Sequence, residues 1–142
     1  MPKTAWITAA LFCQNILNEK DESISLIRLP DRFFLAPDFA PKEGELPAVQ
    51  LSMLVAIRGT EAGIHLLAID SVTPSGKTTQ GMAGARIELK SPEHSFNLMI
   101  KSTIALVEGP GLYWFEVSLD KELCVRVPLQ IEVARPGHPQ KL

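Results

Sequence analysis

From Leu123 to Val133 the chain alternates strictly: Leu123, Val125, Val127, Leu129, Ile131 and Val133 are apolar, with Cys124, Arg126, Pro128, Gln130 and Glu132 between them. Period two predicts a strand with one buried and one wetter face, because the same residues on a helix would spread apolar groups all round it. Pro128 has no N–H to give to a ladder, so an edge strand or a bulge is expected there.

The same test succeeds along most of the chain. Tyr113, Phe115, Val117 and Leu119 form one row, opposite Leu112, Trp114, Glu116 and Ser118. Phe96, Leu98, Ile100, Ile104 and Leu106 share a parity, as do Ala85, Ile87 and Leu89. Val49, Leu51, Met53, Val55 and Ile57 alternate with more polar neighbours and run through Gly59 and a short polar turn into Ile64 to Asp70, which predicts a hairpin. Thr4 to Gln14 mixes helix formers (Ala9, Ala10, Leu11) with strand formers (Trp6, Ile7, Thr8, Phe12) and is read as a strand, on which Trp6 and Phe12 share one parity. A further short strand, Ser23 to Leu29, follows the polar turn Asn18 to Glu22.

These segments predict an all-β chain: an antiparallel β-sandwich of about eight strands, with one long loop after the second strand. Residues 1–134 are expected to form a single domain and 135–142 a flexible tail. The long loop, Pro30 to Pro47, lacks alternation and contains four prolines. It also carries Phe33, Phe34, Leu35 and Phe39, which argues that it is ordered, since leaving such side chains in water forgoes roughly 1.5–3 kcal/mol each.

Composition narrows the picture. The chain has 142 residues, with 14 Lys+Arg against 16 Asp+Glu and a formal charge of -2. A domain of this size buries roughly 70% of its unfolded-chain surface and needs neither disulfide nor metal. With no basic excess and no run of five like charges, nucleic acid is not an expected partner. Cys13 and Cys124 are too few for a disulfide scaffold or a structural zinc site and are expected to be reduced, buried thiols; a bridge would require neighbouring strands. The apolar stretch before Cys13 is only about ten residues long and has Phe12 where a cleavage site needs a small side chain, so it is not read as a signal peptide. No window approaches the roughly 18 apolar residues of a membrane span. A cytoplasmic protein without a membrane partner is expected.

The pattern Ala9-Ala10-Leu11-Phe12-Cys13, followed by Glu22-Ser23-Ile24-Ser25-Leu26-Ile27 and Asp31-Arg32-Phe33, resembles a family of small bacterial proteins of unknown function. Asp70 to Lys77 and Gly111 to Val117 are similar to that family's middle and end. The resemblance implies a compact all-β domain and carries no catalytic residue with it.

Several motifs suggest chemistry on their own. Thr73-Pro-Ser-Gly-Lys-Thr-Thr79 contains the Gly-Lys-Thr that ends a phosphate-binding loop, but Ser71 stands where the first glycine is needed and Gly81 and Gly84 interrupt the helix that should follow. Pro74 and Gly76 suit a β-turn. Ser118 and Lys121 have the spacing of a lysine-activated serine, which requires one helical face; here Asp120-Lys121 is read as a hairpin tip. His65, His94 and His138 are too scattered for a metal pair. The carboxylates of Asp21-Glu22 and of Glu43 with Glu45 are expected to be solvated. No catalytic residue, metal site or cofactor is implied.

What remains is apolar surface. Trp114 and Leu112 lie opposite the Tyr113 row, and their cover is the other half of a two-sided core, the Phe-rich loop or another chain. Trp114, Leu112, Phe33, Phe34 and Phe39 are the candidate binding surface. The leading reading is a non-enzymatic binding or assembly module acting on an unknown protein partner or as a homodimer. The alternative is a small-molecule or carbohydrate-binding domain with its pocket beside the 30–47 loop. A third is an enzyme of unrecognised class using the loop acids with His65 or His94.

Overall fold

The computed structural model describes residues 3–21, 23–27, 32–35, 47–91 and 95–133. Among them are ten strands and no helix: β1 (Ala5–Cys13), β2 (Asn15–Asn18), β3 (Ile24–Ile27), β4 (Phe33–Leu35), β5 (Ala48–Gly59), β6 (Gly63–Val72), β7 (Thr78–Leu89), β8 (Phe96–Ala105), β9 (Gly111–Leu119) and β10 (Glu122–Val133). The all-β expectation holds, with more strands than the eight expected. Phe39, Glu43, Glu45, Glu22, His94, His138 and the expected tail lie outside the described residues.

One sheet has three antiparallel strands in the order β1-β5-β8, and a second has five in the order β4-β10-β9-β6-β7. The β2–β3 hairpin stands apart. Both sheets feed one buried cluster: Met53, Val55 and Ile57 from the first meet Leu67, Ile87, Val117 and Leu129 from the second. Across it the rings of Phe12 and Phe115 meet edge to face, with centroids 4.9 Å apart.

Four expectations change. The segments 49–57 and 64–70 do not pair with each other; β5 belongs to the three-stranded sheet and β6 to the five-stranded one. A polar turn marks where a chain reverses but not which sheet receives the next strand. The crossing is tight at Gly59, where a Cβ would lie 2.7 Å from Leu89 Cδ1 and 2.9 Å from the Thr4 carbonyl oxygen. Secondly, β1 matches the expected first strand, but an unexpected short strand, β2, follows it and pairs with β3 around the polar tip. Thirdly, the expected loop from Pro30 is interrupted by β4, which runs parallel to β10 with Phe33 beside Ile131 and Phe34 beside Glu132. Three residues are too few to display alternation.

The fourth change concerns parity. The β1–β5 register shifts between Ile7 and Ala9, so Trp6 and Phe12 no longer share a face: Trp6 is 40% exposed and Phe12 is buried. An extra residue in one strand turns every later side chain over. A second shift, between Leu123 and Val125, removes Leu123 from the inward row of β10 and leaves it 50% exposed. Pro128 sits in β10 opposite Trp114, beyond the short stretch that β4 covers, so its missing N–H costs no bond on that side.

Candidate functional site

β9 shows what complete cover does to an alternating strand. Tyr113, Phe115, Val117 and Leu119 are all buried. In β8 the inward row Phe96, Leu98, Ile100 and Ile104 packs on the same cluster yet is only half buried. β8 is an edge strand, and at Ile100 and Ile104 it also passes β7. There a cleft of about 300 Å³ opens between the two sheets. Its apolar lining includes Phe12, Met53, Ile69, Ile100, Ile104 and Phe115, and Ser71, Thr79, Ser102 and Thr103 add hydroxyl groups. β7 contributes little bulk, because Gly81 lies against the Ile69 carbonyl, 2.9 Å from where a Cβ would be, and the β6–β7 register breaks on both sides of Ile69.

The expected binding surface is divided by the fold. Phe33 faces inward with Leu35 and packs on the buried cluster. Trp114 and Leu112 are on the opposite face of the five-stranded sheet, as is Phe34, which pairs with Glu132. Trp114 is half buried between its register neighbours Pro128 and Val72. The Arg126 guanidinium stands 4.8 Å from its ring centroid and is itself paired with Glu116 at 3.4 Å. A side chain of the same sheet therefore covers one face of the indole, a cover absent from the three alternatives the sequence suggested.

The Gly-Lys-Thr segment is a turn between β6 and β7. Gly76 takes φ +95° and donates from its N–H to the Thr73 carbonyl, and the Lys77 N–H donates to Thr73 Oγ1 at 3.1 Å. The Ser75 N–H and hydroxyl both donate to the Glu108 carboxylate, at 2.9 and 2.6 Å. Those bonds, together with Thr73, hold Glu108 below the usual carboxylate range. The protein's own carboxylate thus occupies the loop amide that a phosphate would need, and a strand rather than a helix follows. Tyr113 braces the same end: its hydroxyl donates to the Gly109 carbonyl and accepts from the Glu108 N–H. Burial pushes its phenol pKa up.

Asp120 and Lys121 both take positive φ, 52° and 69°, as a two-residue hairpin tip requires. The structure adds a contact that sequence reasoning missed. The buried His65 approaches Asp120 Oδ2 through Nδ1 at 2.6 Å, the Leu66 N–H donates to Asp120 Oδ1, and the Asp120 N–H donates to the Leu66 carbonyl. Partial burial raises the Asp120 pKa, but the bonds from His65 and Leu66 outweigh it and hold the carboxyl below its ordinary range. The pair is 55 residues apart in the chain, and no local spacing announces it. It pins the β9–β10 tip to β6. No group of three His, Cys, Asp or Glu side chains among the described residues could hold a metal ion.

Cys13 and Cys124 are both free, in strands of different sheets. Cys13 is buried as expected, which pushes its thiol pKa up, whereas Cys124 is only half buried. No helix among the described residues is long and apolar enough to cross a membrane.

No curated protein matches the chain. A family model does match, over residues 42–132, which takes in the cleft lining apart from Phe12, the β6–β7 turn and all of β9 but begins after the N-terminal pattern that suggested a family resemblance. Because that match covers more than half of the chain, the protein belongs to a family of unknown function (DUF6941).

Proposed function

We propose that the chain is a non-catalytic binding module, a β-sandwich of the three- and five-stranded sheets, which holds an uncharged apolar ligand or inserted side chain in the cleft between β7 and β8. The observation that carries this reading is that Ile100 and Ile104 of β8 are left half buried beside a space of about 300 Å³, the lower end of the range for ligand pockets. The described lining residues include no acid, base or thiol, so they provide shape and hydroxyl groups rather than proton transfer. The same reading puts the protein in a reducing, cytoplasmic compartment, supported by its two unbridged thiols.

Titration with N-phenyl-1-naphthylamine, an uncharged fluorescent probe, tests it. Saturable enhancement is expected, reduced at least about tenfold by Ser71→Phe and by Thr79→Phe, which fill the cleft from β6 and β7 while leaving the far-UV circular dichroism unchanged. No enhancement, or equal binding by the filled variants, overturns the reading.

A second reading, assembly through the outer face of the five-stranded sheet, is supported by the exposed Leu112 beside the half-buried Trp114. Arg126 over the indole, itself paired with Glu116, makes this a mixed apolar and charged surface that fits a protein partner better than a stacked sugar.

A further inference from the structure

The three- and five-stranded sheets end in four edges, and three carry features that discourage pairing with another chain. β4 has only three residues, and the stretch of β10 that it leaves uncovered contains Pro128. β1 is broken by its register shift at Ile7/Ala9. β7 has two register shifts and contains Gly81 and Gly84, the latter at φ +57°. The fourth is different. β8 pairs with β5 without a break from Phe96↔Ile57 to Ala105↔Ala48, contains neither proline nor glycine, and has one charged residue, Lys101. Among the described residues nothing pairs with its other side.

We propose that β8 pairs with β8 of a second copy, antiparallel about a two-fold axis at Ile100, joining the two three-stranded sheets into one of six. The sequence of β8 selects this register. Inward residues must face inward residues, so the two copies shift only by even steps. With the axis at Ile100, Phe96 faces Ile104 of the second copy, Leu98 faces Ser102 and Ile100 faces its own counterpart. On the outer side Met99 faces Lys101 of the second copy. Moving the axis to Lys101 sets the two lysines against each other, and moving it to Met99 shortens the overlap. The half-buried row of each copy then gains cover from the other. The three discouraged edges close the assembly at two copies rather than extending it into a fibre. The pairing stands on the backbone edge of β8 and its register, and Ile100 and Ile104 of that strand also line the cleft, so the pairing borders the ligand space without requiring it to be filled.

Sedimentation velocity up to about 200 μM on the wild type, Met99→Lys and Met99→Glu tests both the pairing and the register. Met99 is 40% exposed, so both substitutions leave the monomer folded, checked by far-UV circular dichroism. The wild type is expected to dimerise with concentration. Met99→Lys sets two like-charged pairs across the interface and weakens the dimer about tenfold, whereas Met99→Glu sets two opposite-charged pairs and strengthens it. A wild type that stays monomeric overturns the proposal. A dimer that responds to both charges in the same direction, or to neither, overturns it as well.

Discussion

β9 and β8 are written in the same pattern and end in different environments. Each carries an apolar row at every second position over nine or ten residues, and each sends that row toward the same buried cluster. β9 is paired on both sides, by β10 and β6, and its row is buried. β8 is paired only by β5 and borders the cleft, and its row is half buried. Alternation therefore reports that a strand has an inside, whereas position in the sheet decides how well that inside is covered.

The largest effect should come from deleting the same side chain at the two places. Leu119→Ala in β9 removes a buried leucine and is expected to cost about 3 kcal/mol in urea unfolding. Leu98→Ala in β8 should cost about 1 kcal/mol at concentrations where the chain is monomeric, because solvent already reaches the site. Equal losses would break the comparison.

Trp114 sharpens it from the outer face. A fully covered tryptophan would cost about 3–5 kcal/mol on truncation. Half buried, with its main cover an exposed arginine, Trp114→Ala should cost about 1–2 kcal/mol by the same measurement, and Arg126→Ala should lower the penalty of the second substitution in a double-mutant cycle. Strict additivity would remove the Arg126–Trp114 contact from the account.

The smallest effect is the pH dependence at the β9–β10 tip. The carboxyl of Asp120 is held below its ordinary value in the folded protein, so the stability it contributes is present above the unfolded carboxylate value, about 3.9, and is lost as the pH falls through the folded one. Asp120→Asn should therefore flatten the decline in thermal midpoint between about pH 5 and 2 while lowering the midpoint at pH 6. Asparagine tolerates the left-handed backbone at this position, so the substitution isolates the charge. An unchanged acid limb would show that His65 and Leu66 gain nothing from its ionised form.

The register shifts of β1 and β10 mark where hydrophobic parity ceases to report which face is buried. Trp6 and Phe12 looked like one face, and Leu123 looked like the start of a buried row. In each case a single extra residue in one strand reversed the parity, and nothing in the composition around Thr8 or Cys124 distinguishes a bulge from a continuing ladder. The His65–Asp120 contact was invisible for a related reason: its members meet only because β6 and β9 are neighbours. Of the candidate surface, the parity of Trp114 and Leu112 was legible, but the separation of Phe33 from them waited on β4, whose three residues carry no period.

The sequence by itself determined that the chain is all-β, which rows of β8, β9 and β10 are apolar, that Thr73 to Lys77 is a turn rather than a phosphate loop, and that Asp120-Lys121 turns a hairpin. These follow from local physics: side-chain period, backbone preferences at φ above zero and the missing glycine at Ser71. Tertiary structure alone decided that β5 and β6 part into different sheets, that β8 lies at an edge and that a cleft opens beside it. Strand order is set by contacts between residues tens of positions apart, and the period of a strand is the same whichever neighbour pairs with it.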